Sequence, residues 1–185
     1  SLVGQAQARG RACAIAAEQR SVLREALDTG YRDGLEPERL ARELRAHIGL
    51  TTTQSVALSR YRAGLDESQA KEGVPRPRAE RWTTKMVEAY SDRLIRQRAE
   101  GIAVTEMLEA VNVGRQMLWE RARLEGVIPV RSRKRWRATG IRSCPICLAL
   151  DGQEVDVTSS FQSSAGSVLT PPIHVACRCS VELVE

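Results

Sequence analysis

Two short segments near the C-terminus decide the fold that the sequence predicts: CPICLALDG at residues 144–152 and PPIHVACRC at residues 171–179. The first segment contains a Cys-x-x-Cys pair, and the second contains a His-x-x-Cys pair. Together the two pairs supply the four ligands of a closed tetrahedral site of the kind that holds structural zinc. The predicted zinc ligands are Cys144, Cys147, His174 and Cys177.

A fifth donor, Cys179, leaves the ligand set open. If the segment is extended, residues 177 and 179 face the same side of the chain. Cys179 is therefore an alternate fourth ligand, and His174 would then lie beside the metal without binding it. A thiol–disulfide motif, an iron–sulfur site and reduced cysteines that merely pack are the other interpretations. A redox Cys-x-x-Cys usually begins a helix of a thioredoxin-like fold, whereas β-type residues follow here, which favours zinc.

The residues around the two segments predict a small β module. Beyond Pro129 the chain changes to short β-type runs at residues 134–137, 154–157 and 181–184, with a turn at Asp151-Gly152. Residues 158–166 are rich in serine and threonine and are predicted to form an exposed loop. Because so short a module holds few aromatic side chains, a bound zinc ion would supply folding free energy that its apolar core cannot.

Residues 12–124 have helical periodicity. The pattern predicts a helix that begins near Cys13, a second that opens at Glu36-Pro37, and a third that follows a capping box of Thr51 and Gln54. Two more helices would meet at a kink or boundary at Gly101. The buried stripe predicted for the last helix is Met107, Ala110, Val111, Gly114, Leu118 and Ala122.

The predicted fold class is therefore mainly α, with a small C-terminal zinc-stapled β module after a helical body. The body covers residues 1–128 and includes a hinge or loop at about residues 66–78, which contain Gly73, Pro75 and Pro77. The cysteine-rich β module covers residues 129–185.

The charge of the chain permits an acidic partner without demanding one. Lys and Arg number 28 against 23 Asp and Glu, a net charge of +5. The predicted contacts to nucleic acid or to an acidic partner are Arg131, Arg133, Lys134, Arg135 and Arg137. In an extended strand the odd-numbered arginines 133–137 would share one face, while Lys134 and Trp136 would share the other. A solvated basic strand with Trp136 packed on the module is the alternative.

Residues 40–60 also fit a helix-turn-helix, although any αα-hairpin gives the same apolar pattern. Arg45 stands where a tight crossing of the two helices favours a small residue. This segment and the basic stretch keep a zinc-containing DNA-binding protein as the alternative function.

The sequence contains no G-x-S-x-G, Walker-type glycine loop or H-E-x-x-H motif. Glu106 and Glu109 lie one helical turn apart without a partner acid or base, and His47 is interpreted as an exposed or capping residue. A closed zinc site also leaves no position for an activated water. We therefore expect no catalytic residues and no small-molecule substrate; a nuclease or toxin-fused relative would need a catalytic group outside this chain.

No stretch approaches the roughly 20 apolar residues of a membrane-spanning helix, and residues 1–4 lack the pattern of a signal peptide. We therefore expect no membrane association. Because residue 1 is Ser and not Met, we expect a processed chain or an excised fragment.

In addition, three groups of residues carry a resemblance to a known family. They are Gly49-Leu50-Thr51 with Arg60-Tyr61-Arg62, then Ile102 to Glu106 with Ala110 to Gly114, and then Cys144 to Gly152 with Pro171 to Cys179. In their order and spacing, the chain resembles the phage Mu F-like head-morphogenesis, or minor head, proteins over residues 35–185. It departs from the family pattern at Val104, where an arginine is usual, and at Val175, where a proline is usual.

The resemblance implies a minor structural protein of a tailed-phage head. Such a protein would associate with the portal protein and the major capsid protein during head assembly, and it could also contact packaged double-stranded DNA. The resemblance also implies a location in the virion head, and in the host bacterial cytoplasm during assembly.

Overall fold

The computed structural model describes residues 21–140 and 143–184. Helix α1 is described over residues 21–32, so the predicted start of the first helix and Cys13 lie outside the described residues. The other elements are α2 (Pro37–Leu44), α3 (Thr52–Lys71), α4 (Arg76–Leu124), β1 (Arg133–Arg137), α5 (Pro145–Leu150), β2 (Glu154–Asp156), β3 (Phe161–Ser163), β4 (Gly166–Val168) and β5 (Ser180–Val184). The fold is mainly helical with a small C-terminal sheet region, as predicted.

The described residues divide into two compact units, with the division between Glu100 and Gly101. The sequence instead predicts a division between residues 128 and 129. The difference arises because α4 continues past Gly101 to Leu124, and its residues 101–124 belong to the same unit as the β strands. Gly101 lies at the division between the units but does not end the helix.

In the first unit, the capping box predicted at the start of α3 is present. The Thr51 amide donates to Oε1 of Gln54 over 2.9 Å, and the Gln54 amide donates to Oγ1 of Thr51 over 3.2 Å. The Gln54 side chain also donates to the carbonyl of Leu94. The ring centroids of Tyr61 and Tyr90 lie 4.7 Å apart. These contacts join α3 to the first half of α4.

The loop between α3 and α4 is shorter than residues 66–78, because helix α3 continues to Lys71 and α4 begins at Arg76. Residues 66–71 are polar because they lie on an exposed helix surface, where Lys71 pairs with Glu67 over 2.8 Å. The turn that remains contains Gly73, whose φ of +67° is favourable for glycine.

The buried face of α4 in the second unit differs from the predicted apolar stripe. Val111 and Leu118 are 49% and 64% exposed, whereas Asn112 and Gln116 are buried. The Gln116 side chain donates to the carbonyl of Val157 over 2.7 Å. The stripe prediction is wrong because the buried face of this part of the helix contains Asn112 and Gln116, which bond the β module, and Trp119, which packs against its core.

The second unit contains the predicted β runs. Strand β1 pairs antiparallel with β2 on one side and with β5 on the other, and β3 pairs with β4 in a separate hairpin. The core of the module is centred on Trp136 and Phe161, whose rings meet edge to face at 5.2 Å between centroids. Phe161 lies in the segment predicted as an exposed loop. That prediction is wrong for residues 161–163, which form strand β3, because Phe161 packs into the core beside Trp136.

Candidate metal centre

The Cys-x-x-Cys pair forms a turn at the start of α5. The expectation that β-type residues follow this pair is therefore wrong, and the choice of zinc over a redox motif depends on the other donors and not on that expectation. Cys144 is the N-cap residue of this helix, and its Sγ accepts a hydrogen bond from the Cys147 amide over 3.4 Å. This backbone hydrogen bond is the largest influence on Cys144 and lowers the pKa of its thiol. The turn therefore favours the thiolate, which is the form of cysteine that binds metals.

The imidazole of His174 faces both cysteines of this turn. Its Nε2 lies 3.1 Å from Sγ of Cys144 and 3.1 Å from Sγ of Cys147. Its Nδ1 lies 2.9 Å from the carbonyl oxygen of Val175, to which Nδ1–H can donate. That hydrogen bond fixes the tautomer in which the Nε2 lone pair points at the sulfur atoms, as in histidines that ligate metals.

Cys177 completes the predicted group. Its Sγ lies 3.8 Å from Sγ of Cys147. In a zinc tetrahedron with Zn–S bonds of about 2.3 Å, two sulfur atoms are separated by about 3.8 Å. Cys147 and Cys177 are both almost fully buried. Burial raises the pKa of the Cys147 thiol, so Cys147 would bind as a thiolate only with a cation beside it.

The donor atoms form two groups that share Cys147. Cys144, Cys147 and His174 make one group, and Cys147, Cys177 and Cys179 make the other; within each, the donor atoms lie within 4.8 Å of one another. All five donors predicted from the sequence therefore lie together. The two groups could hold a metal ion, and sulfur and imidazole donors in this number suit zinc.

Two residues of α4 that are not among the predicted site residues contact residues 174–179, here called the ligand segment. The Thr105 hydroxyl accepts a hydrogen bond from the Ala176 amide over 2.7 Å. The Asn112 side chain donates to the carbonyl of Cys179 over 3.2 Å. The available signal was their polarity and seven-residue spacing, which places both on one helix face opposite the apolar stripe.

Ala176 lies in the left-handed backbone region, with a φ of 60°. A residue with a Cβ atom is strained there, and glycine is not. We predict that Ala176→Gly raises the unfolding free energy of the zinc-loaded protein by up to about 1 kcal/mol. Urea denaturation would measure the gain. Ala165→Gly is the control at an exposed turn with no such φ, and an equal or larger gain there would contradict the prediction.

The basic stretch alternates as predicted for a strand, with Lys134 and Trp136 buried and the arginines outward. The outward arginines form ion pairs. Arg135 bonds Glu154 at 2.6 Å and Glu182 at 3.0 Å, Arg137 bonds Glu182 at 3.2 Å, and Arg133 lies 3.9 Å from Glu154. Arg131 is exposed. The cations of the sheet are therefore largely neutralised by neighbouring strands.

Lys134 cannot be a contact residue for a partner, because its side chain is fully buried. Its Nζ donates to Oε1 of Gln116 and to the carbonyl of Leu169, each over 2.9 Å. The prediction of an external contact fails for this residue, since alternation along the strand turns Lys134 inward.

The buried Lys134 predicts a rise in stability at alkaline pH. Burial lowers the pKa of Lys134 from 10.5 to about 8, although Glu120 and Asp156 act in the opposite direction. Between these two values the unfolded chain binds more protons than the folded chain, so the unfolding free energy rises with pH. Urea denaturation below pH 8 and near pH 10.5 should show this rise in the wild type and not in Lys134→Met. A rise of equal size in both proteins would contradict the assignment.

The start of α3 is occupied by contacts within the first unit. Gln54 bonds Thr51 and Leu94, and the Arg98 guanidinium donates to the carbonyl of Gly49 in the preceding turn. These contacts tie the start of α3 and the preceding turn to α4. His47 is exposed in the turn after α2, as predicted. Among the helices of residues 21–140 and 143–184, none is both long and apolar enough to cross a membrane.

The comparisons with known proteins give one match. The family described as Phage Mu protein F like protein matches residues 21–182, which is most of the chain and includes all five donors of the metal centre. Neither the curated proteins nor the solved structures contain a significant match. The chain therefore belongs to the family of Phage Mu protein F like proteins.

Proposed function

We propose that this protein is a minor structural component of a tailed-phage head that associates with the portal protein and the major capsid protein during assembly. The observation that carries the proposal is the family match over residues 21–182, because this family indicates head morphogenesis. The chain would act in the host bacterial cytoplasm during assembly and remain in the virion head.

An exposed apolar surface on the second unit supports a role in binding other proteins. Seven large apolar side chains between residues 111 and 130 are exposed, with Met117 65%, Leu118 64% and Leu124 89% accessible. Large apolar side chains that are left exposed in this number are available for contact with another protein. The complete set, here called the apolar surface, is Val111, Val113, Met117, Leu118, Leu124, Val127 and Val130.

We further propose that the metal centre holds one structural zinc ion through Cys144, Cys147, His174 and Cys177. The orientation of the His174 ring and the 3.8 Å separation of the Cys147 and Cys177 sulfur atoms support this set. Cys179 would then lie beside the ion as a buried thiol. Because four protein ligands fill the tetrahedron, the zinc would stabilise the module and would not activate water, and the protein would act without catalysis.

A zinc-containing DNA-binding protein is the alternative, and the ion pairs of β1 weigh against it. Glu154 and Glu182 already partner the arginines that would have to meet phosphates. Binding to duplex DNA that weakens steeply with salt, and that loses about one unit of slope for each arginine removed, would support the alternative.

The head-protein proposal predicts that the apolar surface is needed for incorporation into heads. Leu118→Glu together with Met117→Glu should lower the amount of this protein in purified heads at least about tenfold, since buried charges in an apolar interface are costly. Arg96→Glu with Arg93→Glu, a double change on the first half of α4, is the control and should leave incorporation near the wild-type amount. Full incorporation of the Leu118 and Met117 variant, measured by quantitative mass spectrometry, would contradict the role of this surface.

A further inference from the structure

Helix α4 contacts the ligand segment through two polar side chains. Thr105 reaches Ala176, which stands between the ligands His174 and Cys177. Asn112, two turns further along the helix, reaches the carbonyl of Cys179. Both contacts lie within the second unit.

We propose that Thr105 and Asn112 are positioning residues of the metal centre, so that metal binding and the docking of α4 on the ligand segment form one linked equilibrium. This inference rests on the metal site and not on the head-protein proposal.

The hydroxyl of Thr105 is used as both donor and acceptor. It donates to the carbonyl of Gly101 over 2.6 Å and accepts from the Ala176 amide over 2.7 Å. The first hydrogen bond fixes the hydroxyl on the helix, and the second fixes the backbone of the ligand segment. Because Ala176 has a φ of 60°, the segment is strained, and a hydrogen bond at this amide offsets part of the cost of that conformation.

The ligand segment lies close to the helix at Gly101. A Cβ atom added at Gly101 would make ordinary van der Waals contact with the Val175 side chain at 3.8 Å. Val175 supplies the carbonyl that accepts from His174 Nδ1. The helix surface at Gly101 and Thr105 therefore lies against the residue that orients the histidine ligand.

Asn112 anchors the other end of the segment. It is fully buried, and its Nδ2 donates to the Cys179 carbonyl over 3.2 Å. Removal of a hydrogen bond that helps to hold metal ligands in place commonly weakens metal affinity by about 10- to 100-fold. Because the coupling of two equilibria is reciprocal, loss of the metal should also weaken the docking of residues 101–116 of α4.

The test measures zinc affinity of the full chain by competition with a chromophoric chelator. We expect Thr105→Val to weaken zinc binding by about 10-fold or more. Thr105→Ser keeps the hydroxyl and should bind zinc nearly as the wild type does. Thr84→Val is the matched control, because Thr84 is an exposed threonine of the same helix in the first unit.

Hydrogen exchange is a second measurement, and it distinguishes a positioning role of Thr105 from a merely structural one. Zinc removal from the wild type should speed exchange at the Ala176 amide and in residues 101–116, while α3 stays unchanged. The inference is overturned if Thr105→Val lowers thermal stability but keeps wild-type zinc affinity, or if zinc removal leaves exchange in residues 101–116 unaltered. A wild-type chain that binds no zinc would overturn the metal site itself, independently of the head-protein proposal.

Discussion

Replacement of Cys147 by serine should release the metal and unfold the C-terminal module, while helices α2 and α3 stay formed. Cys147 belongs to both groups of donor atoms, so its loss breaks each of them. The apparent binding free energy of structural zinc is about 10–16 kcal/mol in small zinc-dependent folds, and in such folds it serves as folding free energy. We expect one equivalent of zinc in the wild type and none in the variant, with loss of the near-ultraviolet circular dichroism of Trp136.

Cys179→Ser is the matched comparison for this experiment. Cys179 belongs to only one of the two donor groups and is the thiol that the proposed ligand set leaves over. The variant should retain one equivalent of zinc and a folded module. A Cys147→Ser protein that keeps both its zinc and its thermal stability would contradict the metal centre, whereas zinc loss in Cys179→Ser would make Cys179 a ligand.

Replacement of Trp136 by alanine should destabilise the second unit by about 3–5 kcal/mol, the usual cost of removing a large aromatic side chain from a core. Trp136 is fully buried, and its ring packs edge to face on Phe161. Cys147, Cys177 and Cys179 belong to the same core cluster, so the ligand segment should loosen with it. Urea denaturation followed at the second unit measures the effect.

Trp82→Ala is the control for this prediction. Trp82 is 41% exposed on α4 in the first unit, so less of its surface leaves water on folding. Its loss should cost clearly less than the loss of Trp136. Equal costs for the two variants would show that the core of the second unit is not centred on Trp136.

Local patterns in the sequence predicted those parts of the fold that depend on neighbouring residues. The capping box of Thr51 and Gln54 needs only two residues three apart, and it is present. The alternation along β1 predicted the burial of Trp136, because side chains in a strand change face at every residue. The clustering of cysteine and histidine in two short segments likewise brought all five donors together.

The errors arose where distant parts of the chain decide the outcome. The sequence predicts two helices that meet at a kink or boundary at Gly101, yet a single helix, α4, continues through this residue. The apolar stripe of α4 was assigned to the core, but Asn112 and Gln116 are buried instead because they bond the β module. Helix periodicity identifies an apolar face and does not say whether that face meets this chain or another protein.

The candidate site shows the same limit. The spacing of the cysteines and the histidine identifies the donors. It does not predict the orientation of His174, because the contact of its Nδ1 with the Val175 carbonyl depends on the folded loop. The basic stretch is predicted to be a contact surface for phosphates. Its arginines instead pair with Glu154 and Glu182, which belong to strands β2 and β5 on either side of β1. Pairing between strands that are far apart in the chain sets the charge of this face.

Quantitative mass spectrometry of purified phage heads and virions tests the central claim most directly. The account predicts that peptides of this chain are present in both, at a fixed and low ratio to the portal protein. Absence of the chain from precursor heads and from virions would contradict a structural role in the head, and salt-dependent binding to duplex DNA would then become the first property to measure.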